Sequence, residues 1–186
     1  MKLILASGSP RRKELLGKLG IPFDVIVPDC DESLPPDTAA EIASELLARR
    51  KAEAVAAEHP DVLVIGADTT VLLGDSILGK PADRADCVRM LRALSGQTHR
   101  VVTGVAFVSG GKTRSFSETT YVRFFSLAEA EIAAYADSDE PYDKAGAYGI
   151  QGQGALLVES ISGDYSNVVG LPVARLRRLL SAAGLI

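Results

Sequence analysis

The sequence contains no tryptophan, only two cysteines and only two histidines. Cys30 and Cys87 stand far apart, make no metal-ligand spacing and suggest no disulfide framework. His59 and His99 are also widely separated, and no serine sits in a nucleophile-elbow pattern. A zinc site and a Ser-His-Asp hydrolase are therefore not expected. No apolar run approaches the roughly 20 residues that a membrane-spanning helix needs, so no membrane association is expected. The short run Leu3-Ile4-Leu5-Ala6 soon meets Pro10-Arg11-Arg12-Lys13. It is too short for the apolar region of a secretory leader and reads as a buried first strand. A cytoplasmic location is the simple expectation. Positive charge is not in excess either. Twenty Lys and Arg against 24 Asp and Glu leave a net charge of −4, without the basic face of a nucleic-acid binder. A small polyanion can still bind an acidic protein wherever a few cations converge.

What is present is ordinary globular composition: 186 residues, 47% hydrophobic and 24% charged, enough to bury a substantial core. No repeat, low-complexity tract or long linker divides the chain, so residues 1–186 read as one domain, with room for two closely packed lobes. Strand and helix signals alternate throughout, which predicts α/β architecture. Ser7-Gly8-Ser9-Pro10 turns the first strand into a helix, with Ser9 as N-cap, Pro10 at the first helical position and Gly20 as the stop. Residues 23–27 read as a second strand, followed by the acidic loop 29–32. Thr38 and Glu41 form a capping-box pattern before a long Ala-rich helix to about Glu58.

Val62-Leu63-Val64-Ile65-Gly66 is the strongest buried-strand signal, and it is expected to end at Ala67-Asp68-Thr69-Thr70. Residues 71–78 read as a hairpin turning at Gly74-Asp75. Asp83 caps a helix to Ser95, closed by Gly96. Two β-rich stretches, 101–108 and 113–125, flank Gly110-Gly111. Ser126 and Glu129 open another capped helix. A Gly-rich stretch, 145–154, leads to a strand near 155–158, and Pro172 starts a last helix.

Five places carry candidate chemistry. The Ser7-Gly8-Ser9-Pro10-Arg11-Arg12 turn aims unpaired N–H groups and a positive helix end outward, with Ser and Arg donors beside them, which suits an anion. It also reads as a plain capped helix with solvated arginines, although arginine opposes the helix dipole at this end. It is no Walker A loop, because the Gly-Lys-Ser/Thr ending is missing. Asp68, after an apolar strand, suits metal binding or proton abstraction, or else caps a turn. Lys51, inside the long helix, and Lys80, in Gly79-Lys80-Pro81, are phosphate candidates or solvated cations.

Gln151, among glycines, presents a donor and an acceptor side by side, as the N3–H and carbonyl of uracil or thymine require, or is incidental in a flexible connector. Asp29, Asp31 and Glu32 offer oxygen ligands for Mg²⁺, or form a solvated acidic loop.

In this order the pieces resemble the Maf family of nucleotide pyrophosphatases. The resemblance rests on Leu5-Ala6-Ser7-Gly8-Ser9-Pro10-Arg11-Arg12, Arg50-Lys51-Ala52, Gly66-Ala67-Asp68-Thr69, Gly79-Lys80-Pro81 and Leu94-Ser95-Gly96. It continues through Asp143-Lys144-Ala145-Gly146-Ala147-Tyr148-Gly149-Ile150-Gln151-Gly152 and Val169-Gly170-Leu171-Pro172, so it spans essentially the whole chain. It implies a Maf/inosine-triphosphatase-like α/β fold with a mixed sheet, flanking helices and two lobes around a deep cleft. It also implies a homodimer, dependence on Mg²⁺ or Mn²⁺, and cleavage of a nucleoside triphosphate between its α and β phosphates.

By position, the resemblance makes Asp68 the proton acceptor. Ser7, Arg12, Lys51 and Lys80 would be triphosphate ligands, and Arg11, Thr69 and Gln151 would determine the base. From the residues themselves, Asp68 and Glu32 are the candidates to hold the metal. Arg11, Thr69 and Gln151 resemble the branch acting on dTTP and UTP. A branch acting on 7-methyl-GTP carries tryptophan, an Asp-Gln pair and Ser-Glu-Gly at the corresponding places. Rival expectations are the same fold acting on another nucleotide, or a non-catalytic nucleotide-binding regulator of septum formation.

Overall fold

The computed structural model describes residues 2–35 and 38–186. Its secondary structure alternates as expected: β1 (Leu3–Ala6), α1 (Pro10–Gly17), β2 (Asp24–Ile26), α2 (Ala40–Glu58), β3 (Leu63–Leu73), β4 (Ser76–Leu78), α3 (Arg84–Leu94), β5 (Thr98–Ser109), β6 (Lys112–Phe124), α4 (Glu129–Ala136), β7 (Val158–Ser162), α5 (Tyr165–Val169) and α6 (Val173–Ala182). Short 3-10 turns fill the segment between α4 and β7. One mixed sheet has the order β2-β1-β3-β5-β6-β7, with β4 paired to β3. Strands β2, β1 and β3 run parallel, whereas β3–β4 and β6–β7 are antiparallel.

By compactness the chain forms two units. The first comprises Met1–Thr69, Thr103–Glu118 and Gly170–Ile186, and the second Thr70–Val102 and Thr119–Val169. No helix among the described residues is long and apolar enough to cross a membrane.

In the first unit, helix α2 lies against the sheet through a stripe of small residues. Ser44, Ala48, Ala52 and Val55 recur at helical spacing on its buried side. Ala48, Ala52 and Val55 pack with Ile4, Ala6, Val64, Ala106 and Val108. Two strand glycines permit this closeness. A Cβ on Gly66 would lie 2.6 Å from the Ala48 carbonyl oxygen, and one on Gly104 would collide with the Ser44–Glu45 backbone. In the second unit, Leu91, Leu94, Phe124 and Ile132 are fully buried in a cluster contributed by α3, β6 and α4. Each such side chain contributes about 1.5–3 kcal/mol.

Ser9, Pro10 and Asp83 take the expected helix-start positions. Ser9 accepts from Arg12 N–H over a long 3.4 Å, and Asp83 from Asp86 N–H at 2.8 Å. The hairpin at Gly74, the pair of strands around Gly110-Gly111 and the left-handed Gly96 also stand where the sequence predicts them. Both cysteines are free.

Four expectations need correction. Strand β3 does not end at Asp68 but runs on through Thr69-Thr70-Val71-Leu72-Leu73. The β-branched and apolar residues beyond Asp68 favour extension, and a lysine satisfies the carboxylate in mid-strand. Thr38 is not a cap: Ala39 holds the N-cap position, and Glu41 acts in the first turn, where the helix dipole favours a carboxylate. Ser126 likewise gives way to Ala128, whose N–H is closed instead by the Glu131 carboxylate at 2.7 Å. The last strand starts at Val158, because 153–157 coil into a 3-10 turn.

Candidate active site

Parallel pairing assembles the first unit's site. Ala6 of β1 stands opposite both Ile26 of β2 and Gly66 of β3. The β1–α1 turn and the acidic loop after β2 therefore leave the carboxyl ends of β1 and β2, and Asp68 lies two residues past the point where β1 stops pairing with β3, which itself runs on. α/β proteins place ligands where parallel strands end. Lys51 Nζ donates to Asp68 Oδ1 at 2.7 Å and lies 3.2 Å from Glu32 Oε2. The Lys51 and Asp68 side chains are 10% and 15% exposed, whereas Glu32 is 60% exposed. Lys51 is no solvated face residue. It sits on the buried stripe of α2 between Ala48 and Val55, so the helix carries the cation inward.

Ser7 is buried, and its Oγ accepts from Ser9 N–H at 3.2 Å, which folds the turn back on itself. Arg12, partly buried on α1, donates Nε to the Gly170 carbonyl at 2.9 Å and Nη2 to Thr69 Oγ1 at 3.0 Å. Thr69 Oγ1 is in turn 2.9 Å from Thr103 Oγ1. Two of the five guanidinium donors thus lock Arg12 beside Asp68, leaving the others for an anion. Burial lowers the Arg12 pKa, and the nearby Asp68 charge opposes that effect. Arg11 precedes it on α1, partly buried.

Of the three loop carboxylates, Glu32 reaches Lys51. Asp31 turns onto Ser33, accepting from its N–H at 2.8 Å and its hydroxyl at 2.7 Å. Arg50, the neighbour of Lys51, donates Nη1 to the carbonyls of Asp31 and Ser33 and fastens this loop to α2. Sequence reasoning missed Arg50 and Thr103, whose partners lie many residues away. Only strand register and helix phase bring them in.

Asp68 and Glu32 supply hard oxygen donors of the kind Mg²⁺ or Mn²⁺ takes. No group of three or more His, Cys, Asp and Glu that could hold a metal occurs among the described residues. Two carboxylates are too few for a closed protein cage, so a cation held by them would need further oxygen ligands from outside the protein.

Lys80 and Gln151 belong to the second unit, and both are exposed. The segments carrying them are joined, since Gly146 N–H donates to the Gly79 carbonyl at 3.0 Å. Gly146 has φ +73°, and a Cβ there would press on Val71 at 2.9 Å, so this turn requires glycine.

The family model described as "Maf-like protein" matches residues 2–183. The dTTP/UTP pyrophosphatase of Symbiobacterium thermophilum is 53% identical over 184 residues, covering 98% of this chain and 94% of that protein. The dTTP/UTP pyrophosphatase of Deinococcus radiodurans is 52% identical over 183 residues, covering 98% and 93%. That of Bacillus anthracis is 51% identical over 179 residues, covering 96% and 94%. Among solved structures, the Staphylococcus aureus Ham1 protein superposes with a TM-score of 0.58 over 98% of this chain and 100% of that chain. At 14% identity it shares the fold alone.

Proposed function

The chain belongs to the Maf-like family, and on that premise we propose that it hydrolyses dTTP and UTP to the nucleoside monophosphate and pyrophosphate. The relatives named dTTP/UTP pyrophosphatase, more than half identical over nearly the whole chain, support the substrate. The observation that carries the chemistry is the Lys51–Asp68 pair, largely shielded from solvent just past the point where β1 stops pairing with β3, next to Thr69, to which Arg12 of α1 donates.

In this reading the oxygen of a water molecule attacks the α-phosphorus, and Asp68 takes the proton that water loses. The bond from the α-phosphorus to the bridging oxygen breaks, and pyrophosphate leaves with the electron pair. Lys51 holds the Asp68 carboxylate in one orientation and offsets phosphate charge next to it. Arg12, Ser7 and Lys80 bind the triphosphate, Ser7 from the β1–α1 turn and Arg12 from the first turn of α1, where the helix dipole favours an anion. Arg11, Thr69 and Gln151 select the base, with the Gln151 amide matching the donor and acceptor of uracil or thymine. Asp68 and Glu32 would hold a divalent cation, which neutralises phosphate charge when bound. A homodimer, the family expectation, belongs to the same proposal, and light scattering on the purified protein reads it directly.

The test is a turnover panel with Mg²⁺ and Mn²⁺ over the common nucleoside triphosphates and 7-methyl-GTP, with products separated chromatographically. Monophosphate and pyrophosphate from dTTP and UTP are expected. Preferred cleavage of a purine triphosphate or 7-methyl-GTP would overturn the base assignment, and no cleavage at all would overturn the reaction.

A further inference from the structure

The loop that carries Gln151 is held at both ends by one carboxylate and one phenol. Glu140 Oε2 accepts from Gln153 N–H at 2.8 Å, and Oε1 accepts from Gly154 N–H at 3.1 Å. Tyr135, buried on α4, donates its hydroxyl to Glu140 Oε1 at 2.9 Å and accepts from Gly149 N–H at 3.0 Å. Lys144 Nζ fastens the Glu140 carbonyl at 2.5 Å, which fixes the glutamate backbone as well. Residues 149–154 thus form a short arch, pinned at 149 through Tyr135 and at 153 and 154 through Glu140. Exposed Gln151 lies between the pins.

The glycines show how closely the arch is drawn onto these groups. A Cβ on Gly152 would collide with the Glu140 carboxylate, and one on Gly154 would lie 2.8 Å from the Tyr135 hydroxyl. A Cβ on Gly149 would lie 2.6 Å from Lys144 Cε. Burial of Glu140 raises its pKa, but the Gly154, Gln153 and Tyr135 hydrogen bonds outweigh this and bring it below the usual value. The chemistry of the clasp requires a carboxylate. Three donors converge on two oxygens, and an amide in the same place would turn an NH₂ group toward backbone N–H groups.

We propose that Glu140, braced by Tyr135, is a positioning residue for base selection: it fixes the arch so that the Gln151 amide meets the pyrimidine in one orientation. This deepens the function proposed above and rests on it. An amide that reads a donor–acceptor edge discriminates only if its orientation is set beforehand, because a mobile glutamine can swap oxygen for nitrogen and accept cytosine as readily as uracil.

The experiment compares UTP with CTP, whose base edges differ where Gln151 would read them, in wild type, Glu140→Gln, Tyr135→Phe, Gln151→Ala and the double variant Glu140→Gln/Gln151→Ala. In Glu140→Gln, the ratio of kcat/KM for UTP to that for CTP should fall about tenfold, the size of one lost charge-assisted hydrogen bond. Tyr135→Phe keeps the ring and should move the ratio the same way by less, which covers the case that Glu140→Gln fails to fold. The double variant should discriminate no worse than Gln151→Ala alone, since both changes disable the same reader. Hydrogen exchange at the Gln153 and Gly154 amides should quicken in Glu140→Gln.

Equal losses on UTP and CTP, multiplying effects in the double variant, or unchanged exchange at those amides would each overturn the positioning role while wild-type UTP turnover stands. A wild-type protein that cleaves neither UTP nor dTTP would instead locate the failure in the function proposed above.

Discussion

Lys51 Nζ lies 2.7 Å from Asp68 Oδ1, a contact between the middle of helix α2 and the middle of strand β3. The lysine sits on a stripe that otherwise buries Ala48, Ala52 and Val55, and the aspartate interrupts a strand that otherwise buries Val64, Ile65, Ala67 and Val71. Each charge would be costly there alone, and each answers the other. Glu32 approaches the same lysine from the loop after β2. The pair is thus both a packing solution and the centre of the proposed chemistry.

Asp68→Asn keeps the side chain's shape and removes the proton acceptor. The expected result is a loss of kcat on the order of 10²-fold or more, from lost general-base catalysis and cation binding. Steady-state kinetics on UTP, with circular dichroism to verify folding, decide it. Near-normal turnover by a folded variant would exclude Asp68 from the chemistry.

Gly66→Ala tests the close packing that brings the pair together. The new Cβ would stand 2.6 Å from the Ala48 carbonyl oxygen and 2.8 Å from Ala52 N, so α2 must shift away from β3. A destabilisation of about 1–3 kcal/mol is expected for this overpacking. Turnover should fall as well, because Lys51 rides on α2 and Asp68 on β3. Urea denaturation and kcat measured together check both effects, and a variant with wild-type values for each would refute the account.

Arg50→Met should loosen the loop without touching the Lys51–Asp68 contact. The guanidinium fastens the Asp31 and Ser33 carbonyls, and Glu32 lies between them. If Glu32 helps to hold the divalent cation, the half-saturating Mg²⁺ concentration should rise several-fold, about the effect of one or two exposed hydrogen bonds, with kcat at saturating Mg²⁺ little changed. A Mg²⁺ titration of turnover reads this, and an unchanged curve would remove Glu32 from the metal proposal.

His99 gives the second unit a stability that depends on pH. It is buried, its Nε2 is 2.8 Å from the Tyr148 hydroxyl, and its ring meets Phe124 and Tyr148 edge to face. Burial pushes its pKa down from 6.5 to about 4. The folded state therefore resists a proton that the unfolded chain accepts. The contribution is complete above pH 6.5 and is lost as pH falls from there to about 4. The total lost approaches about 3 kcal/mol. Denaturation midpoints measured across that range should fall steeply in wild type and less steeply in His99→Gln. Parallel curves for the two proteins would contradict this origin.

The elements themselves were readable in the sequence because they follow from local chemistry. The Ser9-Pro10 start of α1, the Asp83 cap of α3 and the Gly74 hairpin depend on residues within a few positions of one another. The errors arose where a local signal met a stronger neighbour. Thr38 and Ser126 have the right side chains for caps, but each helix begins two or three residues later. Asp68 marks the end of an apolar run but not the end of a strand, because a lysine from α2 answers its charge. Even Lys51 carried a signal in its helical spacing from Ala48 and Val55, which places it on the buried side.

By itself, then, the sequence determined the alternation of strands and helices, the family resemblance and the residue types available for chemistry, since periodicity, turn preference and motif order are properties of neighbouring residues. Tertiary structure alone decided which of those residues meet. The register of β1 and β3 sets Ser7 near Asp68, and the approach to Lys51 brings Glu32 to the same place. The missing Cβ atoms of Gly66 and Gly104 let α2 deliver Lys51 to Asp68. Glu140 and Tyr135 come to clasp the arch around Gln151. These relations depend on strand register, helix phase and the close approach of backbones, which exist only once distant segments have packed.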